Sequence, residues 1–196
     1  MRKFIEQSLD ESLNTIVNTC KTSDFKDTIF KATEMIISTY RSNGKVLLAG
    51  NGGSAADAQH ICAEFVGRFN FDREPLPAIA LTTNTSNLTC IANDYGYDDV
   101  FARQFNALAQ PNDTLIVYTT SGKSSNILSL LKSAHSKIKN IVVMTGNYTH
   151  ELKDYSKVII SVNSVSTAKI QEVHAIAGHL ICQCVEYNIF GGNHSK

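Results

Sequence analysis

Short apolar runs at residues 45–49, 78–81, 114–118, 141–144 and 158–162 alternate with stretches of helical periodicity, and this alternation constrains the fold more than any other feature of the chain. A run that stays apolar throughout belongs to a strand buried on both faces, which requires a parallel sheet covered by helices on either side. The intervening periodicity predicts helices over 55–66, 98–108 and 125–134, and a long one from about 167 to 187. Right-handed crossovers place the loops that follow the strands along one edge of such a sheet, where its ligands bind. Chemistry is therefore expected in the loops 50–54, 82–87 and 119–124.

Ahead of the first strand, Phe4, Ile5, Leu9, Leu13, Ile16 and Val17, and then Phe25, Ile29, Ala32, Ile36 and Tyr40, recur at helical spacing. They predict two helices broken around Thr22-Ser23-Asp24, the second capped by Ser42-Asn43-Gly44. With 43% hydrophobic side chains in 196 residues, the chain can bury one substantial core. The expectation is a single α/β domain over residues 1–196, with N-terminal helices at 1–43 and the α/β core at 44–196.

Charge excludes some partners. Lysine plus arginine equals aspartate plus glutamate at 18 each, so no net positive field exists to hold nucleic acid or an anionic membrane. The apolar runs are strand-sized, too short to span a bilayer. Arg2 and Lys3 are followed by Glu6, Asp10 and Glu11 before any long apolar run, unlike a secretion signal, and a cytoplasmic location is expected. The five cysteines lack metal-knuckle spacing and are expected to be reduced, as small buried hydrophobes.

The loop Thr119-Thr120-Ser121-Gly122-Lys123-Ser124-Ser125 leaves a strand and enters a helix, so hydroxyls and free backbone N–H groups converge at a helix N-terminus. That combination suits a phosphate monoester. The triplet Gly122-Lys123-Ser124 imitates the tail of a nucleoside-triphosphate loop, but Val117 stands where that motif needs glycine. The run Gly50-Asn51-Gly52-Gly53-Ser54-Ala55 fits a dinucleotide fingerprint in form, yet the next strand ends in Leu81-Thr82-Thr83 without the required acid. A glycine turn that admits a sugar's hydroxyls to the backbone is the better reading.

On the helix after that turn, Asp57, His60, Glu64 and Arg68 form a polar stripe, with His60 and Glu64 four residues apart on one face. The C-terminal helix carries Gln171, Glu172, His174 and His179, and spacing does not choose among them: Gln171 shares a face with His179 loosely, Glu172 closely. The two groups raise proton transfer or a metal as the chemistry to be decided.

Together these segments resemble the bacterial phosphoheptose isomerases of the sugar-isomerase (SIS) domain superfamily. The resemblance runs nearly end to end and rests on the stretch 50–60 with Glu64 and Gly67-Arg68-Phe69, on 77–83, on Ile91-Ala92-Asn93-Asp94-Tyr95-Gly96 with 100–104, on the serine-rich loop and on 170–174. It implies a single SIS domain with a doubly wound, five-stranded parallel sheet. It also implies a homotetramer, with sites at subunit interfaces and N-terminal helices in the oligomer bundle. Carried onto this chain, it implies zinc held by His60, Glu64, Gln171 and His179, with Glu64 as base and His179 as acid. Asn51, Gly52, Gly53, Asn93 and Asp94 would contact the sugar; Thr119, Thr120, Ser121 and Ser124 would hold its phosphate, with Gln171 close by. The chain departs from the common pattern at Thr119, Lys123 and Lys169, where serine, asparagine and arginine are usual.

The implied reaction, ketose to aldose on sedoheptulose 7-phosphate, moves a proton between C1 and C2 through an enediol and needs one base and one acid. A zinc-bound carboxylate is held ionised and is a weaker base, so metal and base roles compete at Glu64. Glutamine is an uncommon zinc ligand, which predicts modest affinity. The rival class is a non-catalytic SIS module that senses a sugar phosphate or acts through protein contacts, but the relative that binds the bacterial replication initiator lacks the glutamate and histidine that stand here as Glu64 and His179. Aminosugar-phosphate or pentulose-phosphate isomerisation is the alternative within enzymes.

Overall fold

The computed structural model describes residues 1–191. Two helices open the chain, α1 (Arg2–Cys20) and α2 (Ser23–Arg41), split where Thr22 accepts a hydrogen bond from the Phe25 backbone N–H at 3.2 Å and so caps α2. Beyond α2, Asn43 takes the left-handed conformation at φ 55°. Gly44 is needed for closeness instead, since a Cβ there would lie 2.4 Å from the Asn112 carbonyl oxygen.

There follow β1 (Val46–Gly50), α3 (Gly53–Val66), β2 (Ala78–Ala80), α4 (Thr85–Tyr95), α5 (Val100–Leu108), β3 (Thr114–Tyr118), α6 (Ser125–Lys137), β4 (Asn140–Thr145), β5 (Val158–Ser161) and α7 (Thr167–Phe190). The strands form one five-stranded sheet, parallel throughout, in the order β2-β1-β3-β4-β5. Each strand stands within a residue or two of its expected place, and β1 and β3 are buried at every position. Helix α4 departs from the loop expected over 82–87 and occupies a stretch where the periodicity predicts no element before 98. Asn84 caps α4 by accepting from the Asn87 N–H at 3.0 Å, but a short helix with only Ile91 buried carries too weak a periodicity to announce itself.

Two apolar layers flank the sheet. One packs Phe25, Ile36, Ile61, Phe65, Ile170 and Ile181 of α2, α3 and α7 on one face. The other packs Ile91, Phe101, Phe105, Ile127 and Leu130 of α4, α5 and α6 on the opposite face. Helix α1 docks on α7 through Lys169, whose ammonium donates to the Ser8 carbonyl at 3.1 Å and to the Ser12 hydroxyl. The cation at a position where arginine is usual thus ties two helices together. All five thiols are free, but Cys90 and Cys184 are exposed and only Cys182 is fully buried, which corrects the expectation of a uniformly buried set. No helix among the described residues is long and apolar enough to cross a membrane.

Candidate active site

The strand order reverses direction between β1 and β3, and in an open parallel sheet the loops leaving those two strands part to leave a crevice. Here it is a cavity of about 260 Å³ lined by Asn51, Gly52, Gly53, Ser54, Tyr118, Thr119, Thr120, Ser121, Ser124, Thr167 and Gln171. Both loops expected to hold phosphate and sugar therefore meet at one place. Thr119 and Gly122 shape the second loop: the Gly122 N–H donates to the Thr119 hydroxyl at 3.1 Å, and Gly122 adopts φ 67°. Lys123 turns out of this cavity, its ammonium 4.5 Å from the centre of the Tyr148 ring, so the cation does not add to the hydroxyl-lined pocket.

Asn51 faces the cavity, yet its side-chain amide is engaged in a reciprocal pair with the buried Asn126, each donating to the other at 2.9 Å. What it offers a ligand is mainly backbone. Asn126, at the second position of α6, shapes the site without any signal of its own in the sequence. Asn93 and Asp94 lie exposed near the end of α4, bonded to each other at 2.8 Å, and do not line this cavity within one chain.

Outside the lining of this cavity, in the second half of α3 and midway along α7, the reactive groups gather. His60 Nε2 lies 2.8 Å from His179 Nε2 and 3.4 Å from Glu64 Oε1. One donor atom from each of His60, Glu64 and His179 falls within a 4.8 Å group, two imidazole nitrogens and a carboxylate oxygen. Such a donor set fits a divalent cation of intermediate softness. Phe69 covers one flank, its ring centre 5.7 Å from that of His179. Gln171, two turns earlier on α7, lies against the glycine turn: a Cβ on Gly53 would be 2.6 Å from the Gln171 Nε2. The competitors on α7 are sorted by their surroundings. Glu172 is exposed and pairs with Lys169 at 3.4 Å, while His174 is buried with its Nε2 3.4 Å from the Thr145 carbonyl.

Gly53→Ala tests the Gln171 contact. Because the far end of a flexible side chain would yield rather than backbone, stability should fall by less than about 1 kcal/mol. Displacing the amide from the cavity should raise KM roughly tenfold, as steady-state kinetics would reveal.

Asp57 Oδ2, the Tyr118 hydroxyl and His174 Nδ1 are buried without a hydrogen-bond partner among the described residues. Burial lowers the His174 pKa to about 4 and raises that of Asp57 to about 6, the latter partly opposed by His60. The signs oppose each other. His174 binds fewer protons folded than unfolded, so its stability contribution is lost as pH falls from 6.5 through about 4. Asp57 binds more protons folded, so its contribution is lost as pH rises from 3.8 through about 6. The two should nearly cancel between pH 4 and 6, and Asp57→Asn should expose a steep loss of stability on acidification in urea titrations at several pH values.

The SIS domain family model matches residues 10–146, and the chain belongs to that family, within it to the phosphoheptose isomerases. The phosphoheptose isomerase of Burkholderia pseudomallei is 47% identical over 188 residues, covering 96% of this chain and 95% of that one. Solved phosphoheptose isomerases from Neisseria gonorrhoeae and Francisella tularensis superpose with TM-scores of 0.87 and 0.88 at 35% and 34% identity. They cover 94% and 93% of this chain, and 98% and 96% of their own. Helix α7, with Gln171 and His179, lies beyond the family-model match but within the span of a chain-length alignment.

Proposed function

We propose that the chain is an aldose–ketose isomerase that converts sedoheptulose 7-phosphate to D-glycero-D-manno-heptose 7-phosphate, the first step toward nucleotide-activated heptose. One observation carries the reading: in a chain of the phosphoheptose isomerase family, the Glu64 carboxylate and the His179 imidazole converge on His60, on the same two helices that bring Gly53 and Gln171 to the hydroxyl-lined cavity. The phosphate is held by Thr119, Thr120, Ser121 and Ser124 at the α6 N-terminus, where N–H groups and the helix dipole favour an anion. The sugar lies along Asn51, Gly52 and Gly53 toward Gln171, with Asn93 and Asp94 completing its contacts.

Glu64 removes the proton from the carbon next to the carbonyl, and His179 moves protons at the oxygens and assists ring opening. The exchange returns one proton to the neighbouring carbon and leaves no net change in oxidation state. His60, Glu64 and His179, with Gln171 as a fourth donor, would hold zinc. A bound zinc ion supplies Lewis-acid polarisation of the substrate oxygens.

Residues 1–196 form one SIS domain in this reading, and the active unit is a homotetramer with its sites at subunit interfaces. Two surfaces support assembly. Ile5, Leu9, Leu13 and Val17 recur every fourth residue on α1 and are exposed. A groove of about 840 Å³ between α2 and α7 is lined by Ile29, Phe30, Ile37, Phe71 and Tyr187. With its charges balanced, the protein is expected to work without nucleic acid or membrane as partner, and the cytoplasm is its proposed location.

The test is incubation of zinc-loaded and chelator-stripped protein with sedoheptulose 7-phosphate, with chromatographic detection of the aldoheptose phosphate. Product from the loaded protein is expected; none from either preparation overturns the assignment. Equal rates in both would remove the ion from catalysis.

A further inference from the structure

We infer that Arg73 and Glu186 form a positioning device that presents Glu64 and Phe69 to His179, an inference that rests on the isomerase reading above. The connection between α3 and β2 has no regular structure over residues 67–77. Apolar packing of Ile61 and Phe65 against α7 sets the helices side by side, but the chain that leaves the C-terminal turn of α3 needs an anchor of its own. The anchor is a charge pair buried on both sides, with Arg73 and Glu186 side chains each only 1% exposed and Arg73 Nε 3.0 Å from Glu186 Oε1.

Each group makes further bonds that lead to the site. Glu186 accepts the backbone N–H of Phe69 at 2.8 Å and of Asn70 at 2.7 Å. Arg73 Nη2 donates to the Glu64 carbonyl at 2.8 Å, and Nη1 donates to the carbonyls of Phe65 at 2.8 Å, Gly67 at 3.1 Å and Glu74 at 3.0 Å. The last carbonyls of a helix lack intrahelical partners, and a cation at that end also complements the helix dipole. Arg73 therefore closes α3 at the very residue whose side chain is the proposed base. Glu186 lies two turns after His179, on the same face of α7. Through the Phe69 N–H, that face holds the segment whose ring flanks the His179 imidazole at 5.7 Å.

A role in packing alone does not account for this choice of groups. A buried ion pair stabilises no better than well-packed apolar side chains, whereas the guanidinium fork can address several carbonyls at fixed angles. What the pair adds is orientation of the C-terminal turn of α3 relative to α7, where the proposed base and acid face each other.

Arg73→Lys retains the buried charge but cannot serve Glu186 and the four carbonyls together. In zinc-loaded, full-length protein with unchanged circular dichroism, kcat for sedoheptulose 7-phosphate should fall about 10- to 100-fold while KM moves less than about threefold. The His179 imidazole resonances in proton–nitrogen correlation spectra should shift at fixed pH. A kcat within twofold of wild type, or unmoved His179 resonances, overturns the inference. If that variant does not fold, Glu186→Gln keeps the size of the side chain and one acceptor oxygen but removes the charge paired with Arg73, and takes the same two readouts, with shifted resonances and lower kcat supporting the inference and wild-type values defeating it. Inactive wild-type protein would sink the isomerase reading instead, and the resonance comparison, which needs no substrate, would still decide the positioning role.

Discussion

Glu64→Gln should lower kcat on sedoheptulose 7-phosphate by about two to four orders of magnitude, with KM changed by less than about threefold. Glutamine preserves the length and planarity of the side chain and can still accept a hydrogen bond, so the substrate should bind much as before. It cannot take a proton from carbon. The amide also offers a zinc ion a neutral oxygen in place of a charged one, so metal content must be measured alongside the rate. A variant that keeps its zinc and loses its turnover isolates the base, whereas turnover within tenfold of wild type would remove Glu64 from that role.

The largest effect on stability is expected from Glu186→Ala. It strands the Arg73 guanidinium in the interior and removes the acceptor for the N–H groups of Phe69 and Asn70. Breaking one side of a buried pair costs about 3–5 kcal/mol, a large share of the roughly 5–15 kcal/mol that holds a typical domain together. At about 2–4 °C per kcal/mol for a chain of this size, the melting temperature should drop by roughly 10 °C. Replacing both partners with apolar residues, Arg73→Met with Glu186→Leu, should recover part of that loss because no charge is left unpaired. A single-variant loss below about 1 kcal/mol would show that water reaches Arg73 and would weaken the case for a buried clamp.

Some of the site could be read directly from the chain because it depends on local sequence. The phosphate loop was legible since Thr119 to Ser125 sits between a buried strand and a helix start, and a strand followed by a helix fixes where the N–H groups point. The stripe of His60 and Glu64 was legible because a four-residue spacing on one helix is a local geometric fact. On α7 the same logic ran out. Gln171, Glu172, His174 and His179 offered competing faces, and only packing against α3, the sheet and α1 separated them.

Arg73, Glu186 and Asn126 gave no sequence signal. A charged residue in an irregular connection is ordinarily solvated, and one glutamate near the end of a helix is ordinary too. Their roles arise from partners more than a hundred residues apart for Arg73 and Glu186, and 75 apart for Asn51 and Asn126. Asn93 and Asp94 show the converse: the resemblance assigns them to the sugar, but in one chain they stand outside the cavity.

The chain alone determined the parallel sheet, the edge along which its loops fall and the residue types available there, because strand burial, helix periodicity and loop chemistry are short-range properties. The tertiary structure decided which imidazole meets which carboxylate, which amide lines the cavity and what holds α3 against α7. Those are meetings of side chains distant in sequence, and no periodicity encodes the angle at which two helices bring them together.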